Sequence, residues 1–276
     1  MEYATLMVHL ELESENDARL ALTGELADRF DATVIGIAAC DHTPPPYYTN
    51  GSFVQSLIAQ DRENLTKRMK ELEERFRAAL RHRSGKLEWR GALARPTEYV
   101  AREARAADLI ITGHGSDNVL LDPFRNLDAS SLVMQAGRPV LIGPPDVSWL
   151  RLNHVMVAWK DTREARRAVA DALPLLRRAQ ETTVIEVLEG EDDAQKATRR
   201  VEDVAAWLRR HGVIASARVS TAVEDTSAQI ETLASDVNAD LIVAGAYGHH
   251  RLREWVFGGV TEDLLKHSHR CVLLAH

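Results

Sequence analysis

The chain repeats itself at a fixed spacing, and this repeat limits its fold more than any other feature. Residues Ala107-Asp-Leu-Ile-Ile-Thr-Gly113 match Ala239-Asp-Leu-Ile-Val-Ala-Gly245 at an offset of 132 (239 − 107). The same offset carries Arg138-Pro-Val-Leu to Arg270-Cys-Val-Leu, whereas Met7-Val8 aligns with Met156-Val157 at 149 (156 − 7). The difference, 149 − 132 = 17 residues, is extra length in the first copy, assigned to the proline-bearing stretch Asp41 to Gly51 and the helix after it. An offset held across a loop and two strand-like runs marks a duplication. The copies are assigned to residues 1–146 and 151–276, meeting in Gly143-Pro-Pro-Asp-Val-Ser-Trp149.

Within each copy, apolar runs alternate with amphipathic stretches. In the first, residues 5–10, Thr33 to Ala39, Leu87 to Gly91, Asp108 to Thr112 and Pro139 to Ile142 read as strands. Helices are expected over Glu15 to Arg29, Phe53 to Arg83 and Thr97 to Ala106, the second with Leu57, Ile58, Leu65, Met69, Leu72 and Phe76 on one stripe. In the second copy the strands are Val155 to Trp159, Thr183 to Leu188, Ala215 to Ser220, Leu241 to Ala244 and Cys271 to Leu274. Helices are expected over Thr162 to Leu176, Asp192 to His211, Ser227 to Val237 and Val260 to His267. Strand–helix alternation gives an α/β fold: two repeated domains, each a five-stranded parallel sheet with helices on both faces.

Ligands of such sheets lie beyond the carboxyl ends of the strands. There the second copy carries Gly245 and Gly248, then Gly258-Gly259-Val260-Thr261 at the start of a helix. Glycine allows the backbone to approach an anion, and the unpaired amides of a helix start point at it. In the first copy Ser116, Asn126 and Leu127 stand at the positions of Gly248, Gly258 and Gly259, so side chains project where backbone would meet phosphate.

Two tandem repeats with Gly245-x-x-Gly248, nine residues, then Gly258 resemble a tandem universal stress protein, as does Val157-Ala-Trp-Lys-Asp-Thr-Arg-Glu-Ala165. The resemblance covers nearly the whole chain and implies a Rossmann-like, adenine-nucleotide alpha-hydrolase-like fold. Some members of that family bind ATP through G-x2-G-x9-G-[S/T]; others lack the motif and do not. By resemblance, a stress-response sensor or regulator would hold ATP, with Mg²⁺, in its second domain while the first is structural. Gly245, Gly248 and Gly258 would line the phosphates and ribose, with Gly259 and Val260 adding backbone contact and Thr261 following. Val187 would touch the adenine, and Ala158, Trp159, Lys160 and Ala244 would complete the strand ends of the site. Gly259 replaces the motif's Ser/Thr, and Lys160 replaces the acidic residue usual after the first strand. Lys160 could pair with a phosphate or be a solvated loop residue. His249 and Arg251, in the glycine loop, could help hold phosphate. Family members commonly pair through the last strand, so the resemblance implies pairing of the two repeats and a homodimer. The alternative function is a nucleotide-free interaction scaffold, and less favoured is slow ATP hydrolysis, since no general base or arginine finger is identifiable.

Other features narrow the field. A formal net charge of −7 argues against broad nucleic-acid or anionic-membrane binding. Cys40 and Cys271 alone make no disulfide framework, no apolar run reaches the roughly 18–20 residues of a membrane span, and no signal peptide is evident; the expected location is cytoplasmic. His249, His250, His267, His269 and His276 lack metal-ligand spacing, and Cys271 lies in a predicted strand as an inert thiol. Trp159 reads as a core or cleft wall rather than a stacking platform.

Overall fold

The structure, a computed structural model, describes residues 2–42, 51–82, 86–114, 122–188, 193–221, 226–246 and 259–276. Its first half runs β1 (Thr5–His9), α1 (Asp17–Phe30), β2 (Thr33–Ala39), α2 (Gly51–Leu80), β3 (Leu87–Ala92), α3 (Pro96–Glu103), β4 (Leu109–Gly113), α4 (Ala129–Ala136) and β5 (Val140–Gly143). The second runs β6 (His154–Trp159), α5 (Arg163–Leu176), β7 (Glu181–Leu188), α6 (Ala194–Arg210), β8 (Ala215–Thr221), α7 (Thr226–Asp236), β9 (Leu241–Gly245), α8 (Gly259–His267) and β10 (Cys271–Ala275). Helix α4 was not anticipated from the sequence. It is eight residues long, a length at which periodicity is a weak signal.

All strands join one ten-stranded sheet in the order β3-β2-β1-β4-β5-β10-β9-β6-β7-β8. Neighbours are parallel except β5 and β10, which run antiparallel with Leu141 opposite Leu273. These two leucines are equivalent residues of the repeat (273 − 141 = 132), so a local twofold passes between them. The last strands of the repeats therefore pair with each other as the two copies of an isologous dimer would, within one chain.

Side chains alternate across the sheet. Val155, Val157 and Trp159 of β6 face a core shared with α1, α2, α5 and α6. Met156 and Ala158 face the other core, shared with α3, α4, α7 and α8. The repeated Ala-Asp dipeptide has a structural reason. Asp108 Oδ2 accepts from the amides of Ala4 and Thr5, both at 2.9 Å. Asp240 Oδ2 accepts from Asn153 and His154, at 2.7 and 3.3 Å. Each aspartate, before the fourth strand of its half, satisfies the amides at the start of the first.

The extra length of the first half lies in α2. Leu65, Met69, Leu72, Phe76 and Leu80 are buried, with Phe76 packed against Trp89 at a ring separation of 5.6 Å. A Cβ on Gly36 would stand 2.8 Å from Trp89 and 2.9 Å from Phe76, so glycine is what lets these rings reach β2. Leu57, expected on the same stripe, is 49% exposed.

Candidate functional site

In the second half, β9, β6 and β7 are neighbours, and their carboxyl ends form the floor of the candidate site. Ala158 lies directly opposite Ala244 in the β6–β9 register. Trp159 pairs with Glu186 across β6 and β7, which sets Val187 one residue further, at the level of Lys160. Ala158, Val187, Ala244 and Ala246 all share the face covered by α7 and α8. Ala158, Val187 and Gly245 are partly exposed, and Lys160 is exposed. Helix α8 begins at Gly259, with Val260 next and Thr261 buried in its first turn. Gly248, His249, Arg251 and Gly258 lie outside the described residues.

Two candidates have packing roles besides the site roles that the resemblance implies. Trp159 turns away from the others: only 7% exposed, its ring belongs to the α5/α6 side of the sheet, and its indole nitrogen is buried without a hydrogen-bond partner. Strand alternation requires this, because the neighbouring Ala158 faces the cleft. A Cβ on Gly245 would stand 2.4 Å from the Ala165 amide nitrogen and 2.6 Å from the Glu164 carbonyl carbon. Glycine here is first a packing requirement, allowing β9 to touch the backbone that opens α5.

Helix α5 starts abruptly after β6. Thr162 caps it, its hydroxyl accepting from the Ala165 amide at 3.2 Å. Glu164, 2% exposed, bonds the Arg163 guanidinium through one carboxylate oxygen, and the other is buried without a hydrogen-bond partner. Burial opposes its ionisation, but the Arg163 bond and charge, the backbone amide and the Thr162 hydroxyl together outweigh it and hold the carboxyl below its ordinary range. Neither the buried Glu164 nor its contact with Gly245 was foreseen.

The same end of the first half is built differently. His9 occupies the position of Ala158 (158 − 9 = 149) and Thr112 that of Ala244 (244 − 112 = 132). The Thr112 hydroxyl lies 3.4 Å from His9 Nδ1. His9 is 2% exposed, and burial pushes its pKa down to about 4, leaving a neutral ring at neutral pH. Arg19, nearly buried, donates from Nη1 to the His9 carbonyl at 2.7 Å and from Nη2 to Glu11 at 3.2 Å. Its Nη2 stands 1.9 Å from where a Cβ on Gly113 would be. Further out, Arg125 binds Asp61 of α2 through Nη2 at 3.0 and 2.9 Å and approaches Glu13 at 3.4 Å. Asp128 caps α4, accepting from the Ser130 amide at 3.0 Å and the Ser131 hydroxyl at 2.6 Å. This arrangement was missed as well. The signal lay in extending the two offsets to single residues, which sets His9 against Ala158 and Glu11 against Lys160 (160 − 11 = 149).

Among the described residues, no group of three or more His, Cys, Asp or Glu is placed to hold a metal ion. In the same residues no helix is long and apolar enough to cross a membrane.

Comparison with known proteins follows these lines. The sequence model of the universal stress protein family matches residues 152–276. No match to the chain is found among curated protein sequences. Among solved structures, a universal stress protein from Archaeoglobus fulgidus DSM 4304 superposes with a TM-score of 0.71 at 17% identity, over 98% of this chain and 95% of that one. A functionally unknown protein from Pseudomonas aeruginosa PAO1 superposes with a TM-score of 0.62 at 17% identity, over 99% of this chain and 92% of that one. At such identities the likeness is one of fold, and it spans both halves.

Proposed function

We propose that the second half, of which residues 152–276 match the sequence model of the universal stress protein family, binds ATP or another adenine nucleotide while the first half is a closed structural partner. The observation that carries this reading is the contrast between two helix starts. At α4 the protein supplies its own anion, the Asp128 carboxylate, to the Ser130 amide of the first turn. At α8 the chain offers Gly258 and Gly259, which have no side chain with which to do so. Amides at a helix start attract an anion whether it comes from the protein or from a ligand.

Charge supports the same assignment. Glu11 of the first half, paired with Arg19, is replaced at the equivalent position of the second by Lys160, so the β6–α5 loop carries a cationic side chain where the β1–α1 loop carries a carboxylate. Phosphates over β9 and α8, ribose over β6 and base beside Val187 make a ligand that follows the sheet order. Mg²⁺ enters this reading bound to the phosphates, because the described residues bring no carboxylate cluster to hold it by themselves. Binding is the activity, in a stress-linked sensor or regulator; hydrolysis, where it occurs, is slow, because no general base is identifiable among the described residues.

Calorimetric titration of the full chain with MgATP tests this. Micromolar affinity with one nucleotide per chain is expected, and millimolar or weaker affinity overturns it.

A second reading, a nucleotide-free scaffold, draws on Gly245, whose glycine is accounted for by its contact with α5 alone. If Gly259→Ser, which restores the motif's hydroxyl, confers tight ATP binding on a chain that otherwise binds none, the scaffold reading of the natural sequence gains. In that case a homodimer needs a surface other than the last strands, which already pair within the chain.

A further inference from the structure

We propose that the chain forms a homodimer through β3, the edge strand of its first half, laid antiparallel against β3 of a second copy. The sheet ends in β3 on one side and β8 on the other. A free edge is a row of unpaired amides and carbonyls, a template for another strand that proteins ordinarily block. The two edges of this sheet are treated differently.

At β8 the Thr182 amide donates to the Ile214 carbonyl at 2.9 Å, so the backbone groups of Ala215, Ala217, Val219 and Thr221 point away from β7. Side chains cover both ends of that row. Arg209 Nη1 of α6 donates to the Ala215 carbonyl at 2.8 Å, and Gln229 Nε2 of α7 donates to the Thr221 carbonyl at 3.0 Å. At β3 the Val34 amide donates to the Lys86 carbonyl at 2.9 Å, and the Cys40 amide to the Ala92 carbonyl at 3.2 Å. The even-numbered residues of β3 therefore face β2, and the backbone groups of Leu87, Trp89 and Gly91 face outward. Among the described residues, none bonds to the outward amides or carbonyls of these three.

This open edge complements itself. A twofold at Trp89 sets Trp89 opposite its own copy, Leu87 opposite Gly91 and Glu88 opposite Arg90. The first two are then hydrogen-bonded pairs, since theirs are the outward groups, and Glu88 with Arg90 is the closer, non-hydrogen-bonded pair. Opposite charges and aromatic rings directly across two strands stabilise the pairing. A twofold at Glu88 or at Arg90 would set like charges against each other, so the charge order selects the Trp89 register. The residues are also held ready. Arg90 is fixed by Glu103 at 2.8 Å, and Trp89 packs on Phe76 at a ring separation of 5.6 Å. Ordering before association lowers its cost. The seam would be isologous, like the pairing of β5 with β10, which has already used the last strands.

Sedimentation velocity of the full chain over a concentration series measures the assembly, and hydrogen exchange at low and high concentration locates the seam. A dimer is expected, with the Leu87, Trp89 and Gly91 amides gaining protection as it forms. Glu88→Lys sets lysine opposite Arg90 twice per dimer and should weaken association about tenfold or more, with the circular dichroism spectrum unchanged. Ser216→Lys, on the guarded edge, should leave association unaltered. A chain that stays monomeric throughout overturns the inference, as does a dimer protected elsewhere, one indifferent to Glu88→Lys, or one lost with Ser216→Lys. Should Glu88→Lys fail to fold, Leu87→Pro, which removes one outward amide, supplies the same comparison, and an unchanged dimer again overturns it.

Discussion

At the carboxyl ends of the strands the first half carries His9 and Thr112 where the second carries Ala158 and Ala244, and Asn126 and Leu127 where the second carries Gly258 and Gly259. The backbone plan is shared, down to the aspartate that ties the start of the first strand to the fourth. The difference is who satisfies the polar groups at that end. His9, Arg19 and Asp128 do so internally in the first half, with Arg125 fastening the preceding loop to α2. In the second half the positions of His9, Arg19 and Asp128 are taken by Ala158, Ala168 and Val260, none of which has a polar side chain. On the proposed reading, a duplicated fold keeps one copy as a closed wall and the other as a receptor without altering strand order.

The largest measurable consequence lies in the closed half. His9 is neutral and buried, with a folded pKa of about 4 against an ordinary value of 6.5. The unfolded chain takes up this proton first, so stability attributable to His9 is complete above about pH 6.5 and lost as pH falls toward 4. A shift of that size corresponds to at most about 3 kcal/mol. Urea unfolding at stepped pH should show the loss, and His9→Gln should flatten that part of the profile. An equally steep profile in the variant breaks the assignment.

Next in size is the glycine comparison. Gly245→Ala drives a methyl into α5 backbone, which cannot give way, and should cost about 2–3 kcal/mol; Gly113→Ala meets the end of the flexible Arg19 side chain and should cost about 1 kcal/mol. Denaturant midpoints decide the order, and equal costs would contradict it. Asp128→Ala removes a helix cap and should destabilise the protein by about 1 kcal/mol. Smallest is Arg125→Met, which breaks a partly exposed pair with Asp61 and should cost about 0.5 kcal/mol, shrinking further in high salt.

The architecture was legible because duplication leaves a constant offset, and because buried parallel strands read as apolar runs bounded by helical stretches. Gly245 was legible as special, though its first reason, contact with α5, is tertiary. Trp159 was not resolved: its strand was plain, but which face it took depended on the alternation of β6 against helices far along the chain. Closure of the first half was also hidden. Arg19 with Glu11, and Arg125 with Asp61, pair residues from separate elements; no local pattern marks a charge that will be drawn onto a neighbouring loop. Leu57 fitted the α2 stripe by periodicity, yet it stays exposed, because burial depends on what packs against the helix and not on the stripe alone.

The most direct measurement is a crystal structure of the full chain soaked with a non-hydrolysable ATP analogue and Mg²⁺. Polyphosphate density at the start of α8, the nucleoside over Ala158 and Ala244, and none at the start of α4 is the predicted result. Density in both halves, or at α4 alone, or in neither, contradicts the division between a closed half and a receptive one.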